Sequence, residues 1–475
     1  MATRDFSKYF LYRWRYIIGY SLIGLLLAAI LLFAGLYLPG GLSQQEMSAV
    51  VQSASITITD PSTLSITDIP YHLLQAAIFS IFGISTFTIK LPSLLFALLA
   101  AVALIFLLRR WFPKNIAVLA SLIAITTGQF LYIAQSGTPS VMYILWPTLL
   151  LLLGTQITRV KHFRFGWKLL FGVVLALSLY TPLSIYPALA ILLVTIFHPH
   201  LRAVIKRLRR SRLAIVTGVF VILIAPLIWL ISLSPQLGLQ LLGVPTDWPP
   251  ALIDNLKQLL QDYLFFWGPN TSELMTPVFG LGSTILIAIG GYRLIRTRQT
   301  TRSYLLIFWI VCLLPVLIIN PSYTSVTFVP AVMMLAAGLT SLIGYWYRLF
   351  PYNPYARVAG LIPIIILVGA LISTGLLRYV NGYHYTTSVV PLFSTDLALL
   401  PKDTTELVVT NGERPFFEAI AKYRTGLSVV SRPTSDTVVV TRAARESVTG
   451  YTIKEIIANE RSQQSDRLYV MQRQQ

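Results

Sequence analysis

The amino-acid sequence predicts an all-α polytopic membrane protein with a small extracytoplasmic α/β domain at its C-terminal end, and three observations carry that prediction. Apolar runs of about 18 residues or more, enough to cross some 30 Å of hydrocarbon, recur along the chain. Charged residues make up 12% of the 475 residues and apolar residues 55%, whereas an ordinary soluble domain carries roughly 25% charge. Only near the C-terminal end do charges of both signs return in density, with apolar runs shortened to strand length.

Eleven segments read as spans: Ile17–Leu38, Leu91–Leu108, Asn115–Ile133, Val141–Gln156, Leu169–Tyr180, Leu183–Phe197, Leu213–Leu233, Pro277–Ile295, Leu305–Ile319, Thr327–Trp346 and Val358–Leu377. The first follows Arg13 and Arg15 but is longer than a signal-peptide core, and no small-x-small cleavage pattern follows it. It is therefore expected to stay in the membrane. Thr181-Pro182 reads as a hinge between two spans; one helix kinked at Pro182 is the alternative. Tyr71–Phe82 is too short to cross, and Ala251–Phe266 has the periodicity of a helix lying on the membrane surface.

The expected division is a membrane domain over residues 1–380, with long loops at 40–90 and 234–276, and an α/β domain over 381–475. In the latter, Glu406–Val409, Leu427–Val430, Thr437–Val440 and Arg467–Met471 read as strands. Arg414–Tyr423 and Tyr451–Glu460 have helical spacing. The single cysteine, Cys312, excludes an internal disulfide and a cysteine metal cluster.

The net charge of +19 does not point to nucleic acid, because of where the cations lie. Of 37 Lys and Arg, 23 fall in the N-terminal segment and alternate turns, only Lys90 and Lys257 lie in the intervening loops, and 12 lie beyond the last span. Under the positive-inside rule the protein is a multi-pass cell-membrane protein with a cytoplasmic N-terminus, both long loops outside and an extracytoplasmic C-terminal domain. Acids divide with them. Glu46, Asp60 and Asp68 stand in the first outer loop, and no Asp or Glu follows until Asp247. No carboxylate falls inside any expected span, which weakens a proton-coupled transporter of lipid or glycan as an alternative.

Several motifs in residues 40–113 carry a resemblance. Gly41-Leu42-Ser43-Gln44-Gln45-Glu46 follows the first span, Ile69-Pro70-Tyr71-His72 leads through an apolar stretch to Phe82-Gly83, Lys90-Leu91-Pro92-Ser93 opens the second span, and Arg109-Arg110-Trp111-Phe112 closes it. In order and spacing the chain resembles the GT-C-type polytopic glycosyltransferases that use polyprenyl-phosphate sugars, in the branch of bacterial protein mannosyltransferases, aminoarabinose transferases and lipopolysaccharide sugar transferases. The resemblance implies transfer of a sugar from a polyprenyl-phosphate donor to an extracytoplasmic glycan, lipid or protein. It places the family's catalytic Asp at Gln45, which is no proton acceptor. An Arg-Tyr expected later reads Pro321-Ser322-Tyr323-Thr324 here. A non-catalytic relative that binds lipid-linked sugar or scaffolds envelope enzymes is the second reading.

Such transfer needs a carboxylate to accept a hydroxyl proton and a cation to favour the departing phosphate. The carboxylate candidates are Glu46, whose alternative role is a capping box with Ser43, and Asp68, whose alternative is a helix N-cap. Asp60, before Pro61, reads as a turn. Lys90 stands at the mouth of a span, where it either binds a donor phosphate or snorkels to headgroups. Gln45, His72, Gln135 with Tyr132, Asp247 with Trp248, and Arg378 with His384 complete the expected substrate-binding set. Asn270-Thr271-Ser272 has the form of a glycosylation acceptor. A divalent metal ion is an open alternative for the phosphate.

Overall fold

A computed structural model describes residues 10–37, 41–57, 60–159, 163–206, 210–245, 248–266, 278–349, 352, 355, 359–385, 393–458 and 467–474. Within them the membrane domain runs as α1 (Phe10–Tyr37), strand β1 (Gly41–Ser43), α2 (Gln44–Ser55), α3 (Ile69–Phe82), α4 (Thr86–Trp111), α5 (Lys114–Ile125), α6 (Gly128–Gln135), α7 (Met142–Arg159), α8 (Arg164–Ser178) and α9 (Ile185–Phe197). It continues as α10 (Pro199–Lys206), α11 (Arg210–Leu233), α12 (Pro235–Leu241), α13 (Leu252–Leu264), α14 (Leu281–Arg296), α15 (Thr301–Ile319), α16 (Phe328–Leu349) and α17 (Leu361–Tyr385).

All eleven expected spans are helical along most of their length. By length and composition, six helices among the described residues can cross a membrane, or seven if α5 and α6, bent by 59°, count as one. Helices α8, α9 and α14 are shorter; α14, with 16 residues, reaches only about 24 Å. The protein is thus a multi-pass α-helical bundle. At Pro182 the chain reverses rather than kinks: Lys168 and Phe171 of α8 line the same cavity as Thr195 of α9 and His198 just past its end. Leu183 takes a left-handed conformation (φ 61°) at this turn, and its N–H donates to the Leu241 carbonyl at 2.9 Å. The amphipathic segment after Pro250 forms α13, as its periodicity predicts.

Helices α14 and α16 approach through glycines, as small residues allow in a bilayer where no hydrophobic force draws helices together. A Cβ on Gly290 would stand 1.8 Å from the Met334 carbonyl oxygen, and one on Gly338 would stand 2.1 Å from that of Leu286. Backbone fills the space on both sides.

The C-terminal region is a mixed sheet with one helix. Strands β3 (Glu406–Val408), β4 (Ser428–Val430), β5 (Thr437–Thr441), β6 (Tyr451–Ile457) and β7 (Leu468–Arg473) stack in the order β4-β3-β5-β7-β6. The first two pairings are parallel and the last two antiparallel. Helix α18 (Arg414–Tyr423) forms where expected. Tyr451–Ile457 corrects the sequence reading: it is a strand, because it pairs with β7 from Tyr451↔Arg473 to Ile457↔Leu468. A bulge after Ile453 disturbs the alternation that would have announced it.

This domain is tied to the first loop. Strand β2 (Phe393–Asp396) pairs antiparallel with β1, and Lys422 Nζ donates to the Ala54 carbonyl at 2.7 Å. One apolar cluster joins Val50 and Ala54 of α2 to Phe416, Phe417 and Ile420 of α18. The C-terminal domain therefore lies on the same side of the bundle as the first loop.

Gly290→Leu should drive α14 from α16 and cost on the order of 2–3 kcal/mol by overpacking. Thermal unfolding of the purified protein in detergent should show a clear loss, with Gly344→Leu, where a Cβ meets nothing within 4 Å, close to wild type.

Candidate active site

The first outer helix, α2, presents two faces with different duties. Gln44, Gln45, Ser48 and Gln52 lie at helical spacing and line a cavity of about 690 Å³. Its other walls come from Tyr132 and Ser136, from Tyr143 of α7, from Asp262 of α13, and from the Asn320–Ser325 segment that leads into α16.

Glu46 is rotated about 100° from Gln45 and points into the protein. It is 1% exposed. Ser43 N–H donates to its Oε2 at 2.9 Å, and its own N–H donates to Ser43 Oγ at 3.3 Å, completing a capping box. Gly137 N–H donates to Oε1 at 2.7 Å, and Lys90 Nζ lies 3.5 Å from the same oxygen. Lys90 is also 1% exposed, so it does not snorkel. Neither side chain lines the cavity.

Asp68 stands before α3 but does not cap it. Its backbone is left-handed (φ 56°, ψ 34°), and its side chain makes no cap bond. The carboxylate instead bonds to the side chains of Thr181 and Thr67, and Thr181 Oγ1 also accepts from Trp146 Nε1 at 2.9 Å. Oδ1 is buried without a protein partner. Burial pushes the Asp68 carboxyl up to about 7, the two threonine bonds opposing that rise. Its charge is felt by Tyr143 and Tyr323, which line the cavity with ring centroids 5.8 Å apart. Asp68 itself does not line the cavity.

The hydrogen bonds around His72 determine its tautomer. Gln75 Nε2 donates to the Ile89 carbonyl at 2.8 Å, which leaves Gln75 Oε1 to accept from Ser53 Oγ at 2.6 Å. Ser53 has then spent its proton, so His72 Nδ1–H donates to Ser53 Oγ at 2.8 Å. Nε2 keeps its lone pair, buried and without a protein partner. Burial lowers the imidazole to about 4, and the ring is neutral at pH 7.

Gln135 is buried and accepts from Tyr379 Oη. Trp248 is 70% exposed, and Asp60 opens a short helical turn without lining the cavity. Asp247 and Asn270-Thr271-Ser272 lie outside the described residues. Arg378 lines an adjoining, mainly apolar hollow of about 300 Å³ that shares Val278 with the main cavity. On another side, Tyr263 Oη lies 2.7 Å from Thr327 Oγ1. These two residues border an apolar groove of about 330 Å³ between α14, α15 and α16.

Sequence reasoning missed Asp262. It lines the cavity, and burial raises its carboxyl above the usual range. It stands four residues after Gln258, which lines the same cavity, so the two share one face of α13. Among the described residues no cluster of three His, Cys, Asp or Glu could hold a metal ion. One carboxylate among neutral oxygens is a thin donor set for a divalent cation.

Comparison with known proteins gives a partial family match and a shared fold. Residues 69–229 match the family model described as dolichyl-phosphate-mannose-protein mannosyltransferase. No curated protein sequence matches the chain. Among solved structures, ArnT from Cupriavidus metallidurans in the apo state superposes with a TM-score of 0.56 at 13% identity, covering 96% of this chain and 98% of that one. The same protein bound to undecaprenyl phosphate gives 0.54 at 13% identity, covering 95% and 98%. The Archaeoglobus fulgidus oligosaccharyltransferase tethered with an acceptor peptide gives 0.50 at 13% identity, with 87% of this chain covering 64% of that one. The chain shares its fold with these structures, and the likeness to the ArnT structures runs along nearly its full length.

Two measurements check this geometry. Lys90→Met strands a buried carboxylate and should cost about 3–5 kcal/mol; adding Glu46→Gln should recover part of that loss, read by thermal unfolding. Asp68 has a folded pKa raised above its unfolded value, so its contribution is full below about pH 4 and is lost as pH rises through about 7. Wild type should therefore lose on the order of 4 kcal/mol relative to Asp68→Asn between those limits, seen as converging or crossing melting curves.

Proposed function

We propose that this chain transfers a sugar from a polyprenyl-phosphate donor to a hydroxyl of an extracytoplasmic glycan, lipid or protein. One observation carries the reading: a polar cavity and an apolar groove meet where Tyr263 of the groove donates to the carbonyl of Thr324 on the cavity wall at 3.3 Å. A sugar phosphate on a hydrocarbon tail needs that combination, and a nucleotide sugar does not. The family match over 69–229 and the fold shared with an ArnT structure bound to undecaprenyl phosphate support it.

Asp68 is the general base. A carboxyl near 7 accepts a proton at neutral pH and still favours transfer, and its Oδ1 is buried without a protein partner. Asp262 supplies a second carboxylate on the opposite wall. Gln44, Gln45 and Gln52 hydrogen-bond sugar hydroxyls, which neutral amides do without binding charge. Arg378 faces the donor phosphate from the adjoining hollow. Glu46 and Lys90 position α2 rather than exchange protons. The amino terminus is cytoplasmic, and the eleven segments place the loops and the C-terminal domain outside.

Radiolabelled polyprenyl-phosphate sugar supplied to the purified protein in lipid should be consumed, with a rate that rises with pH through about 7. Asp68→Asn should lower turnover about a hundredfold or more and abolish that limb. Gln45→Ala should raise KM with little change in kcat. Transfer from a nucleotide sugar alone would overturn the donor assignment. Full turnover by both Asp68→Asn and Asp262→Asn would remove the carboxylates from the mechanism. Donor binding without turnover in wild type would instead mark a non-catalytic binder.

A further inference from the structure

A second cavity, of about 670 Å³, lies at the opposite end of the bundle from the one just described. Two helices, α7 and α15, connect the two, and Trp111, the last residue of α4, lines the far cavity. Tyr143 of α7 lines the near cavity and Arg159 the far one; on α15, Arg302 lines the far cavity and Asn320, just past its end, the near one. An 18-residue helix such as α7 separates its ends by about 27 Å.

Four groups that carry or can carry positive charge line this far cavity: Arg159, Lys168, His198 and Arg302. The stretches of chain that build it, residues 111–216 and 299–305, contain no Asp or Glu. Arg302 lies within electrostatic reach of Arg159 and Arg293, which are like charges. Arg159 and Arg302 turn to the backbone carbonyls of Arg110 and Trp111, dipoles that do not cancel a charge. His198 Nδ1 is shielded from water without a protein partner, while Nε2 lies 3.3 Å from Thr301 Oγ1. Leu150, Leu151, Phe171, Ile191 and Val216 form an apolar floor. Along α7, Leu151 sits about 12 Å deeper than Arg159. A cationic mouth over an apolar floor is complementary to a phosphate that carries acyl chains.

We propose that this cavity binds the phosphate headgroup and proximal acyl chain of an anionic phospholipid. The site is separate from the outer cavity, and the proposal does not depend on the transfer reaction. The full-length protein in detergent should be titrated with dioctanoyl phosphatidylglycerol and followed by native mass spectrometry, with dioctanoyl phosphatidylcholine and inorganic phosphate in parallel. Phosphatidylglycerol should bind at least tenfold more tightly than phosphatidylcholine. Lys168→Gln and Arg302→Gln should each reduce that preference severalfold, and Leu151→Trp, which fills the floor, should abolish it. Arg296→Gln with Arg298→Gln, exposed and outside the lining, should leave it intact. Lys168→Gln, remote from the Trp111 contact, serves if Arg302→Gln fails to fold. Equal binding of the two lipids, or indifference to the lining variants, overturns the proposal. Inorganic phosphate competing fully while Leu151→Trp has no effect would make this a soluble-anion site and overturn the lipid assignment.

Discussion

The outer half of this molecule depends on one buried ion pair. Glu46 and Lys90 stand 3.5 Å apart, each almost wholly out of water. Desolvating two charges is expensive, and the pair is tolerable because further hydrogen bonds meet the carboxylate. Those bonds come from Ser43 and from Gly137, so the pair fixes α2 against both α4 and the turn ahead of α7. Gly137 belongs to this arrangement: a Cβ there would come within 2.6 Å of the Ile89 side chain and 3.3 Å of Glu46 Oε1. With Glu46 turned inward, helical geometry leaves Gln44, Gln45, Ser48 and Gln52 no direction except the cavity. The amide-rich wall follows from the ion pair behind it.

The left-handed residue Asp68 is the counterpart on the other side of the site. Its N–H donates to the Tyr180 carbonyl at 2.8 Å, so the turn between α8 and α9 closes over the start of α3. A non-glycine residue at positive φ carries strain, and here surrounding contacts over-determine it. The same turn brings Thr181 to the carboxylate and shields it from water. Raised proton affinity and backbone strain thus have a common origin in the α8–α9 reversal.

Much of the fold was legible because a bilayer constrains sequence strongly. Length and apolarity marked the helices, and Pro182 was readable as a reversal because a single kinked helix would have misplaced Arg202–Arg212. Strand β6 was not legible, since one bulged residue confuses a period of two. The site was legible to the level of the loop but not of the side chain. A one-residue offset between Gln45 and Glu46 looks small along the chain, yet on a helix it is a change of direction. Asp68 was singled out as an isolated acid before an apolar helix, and its side chain turns away from the cap. Asp262 was overlooked because amphipathic helices carry acids routinely, and only the fold shows which one turns inward.

The pairing of Gly41–Ser43 with Phe393–Asp396 has a consequence for how the protein is made. Strand β1 leaves the ribosome before its partner, which must wait for about 350 further residues, inserted as helices in between. Until then α2 lacks both the strand beside its start and the Phe416–Phe417 surface behind it. The cavity wall is therefore finished only after residues 393–420 have been made. Loop closure over such a separation is slow relative to local helix formation, which leaves the nascent bundle with an incomplete outer mouth throughout its synthesis.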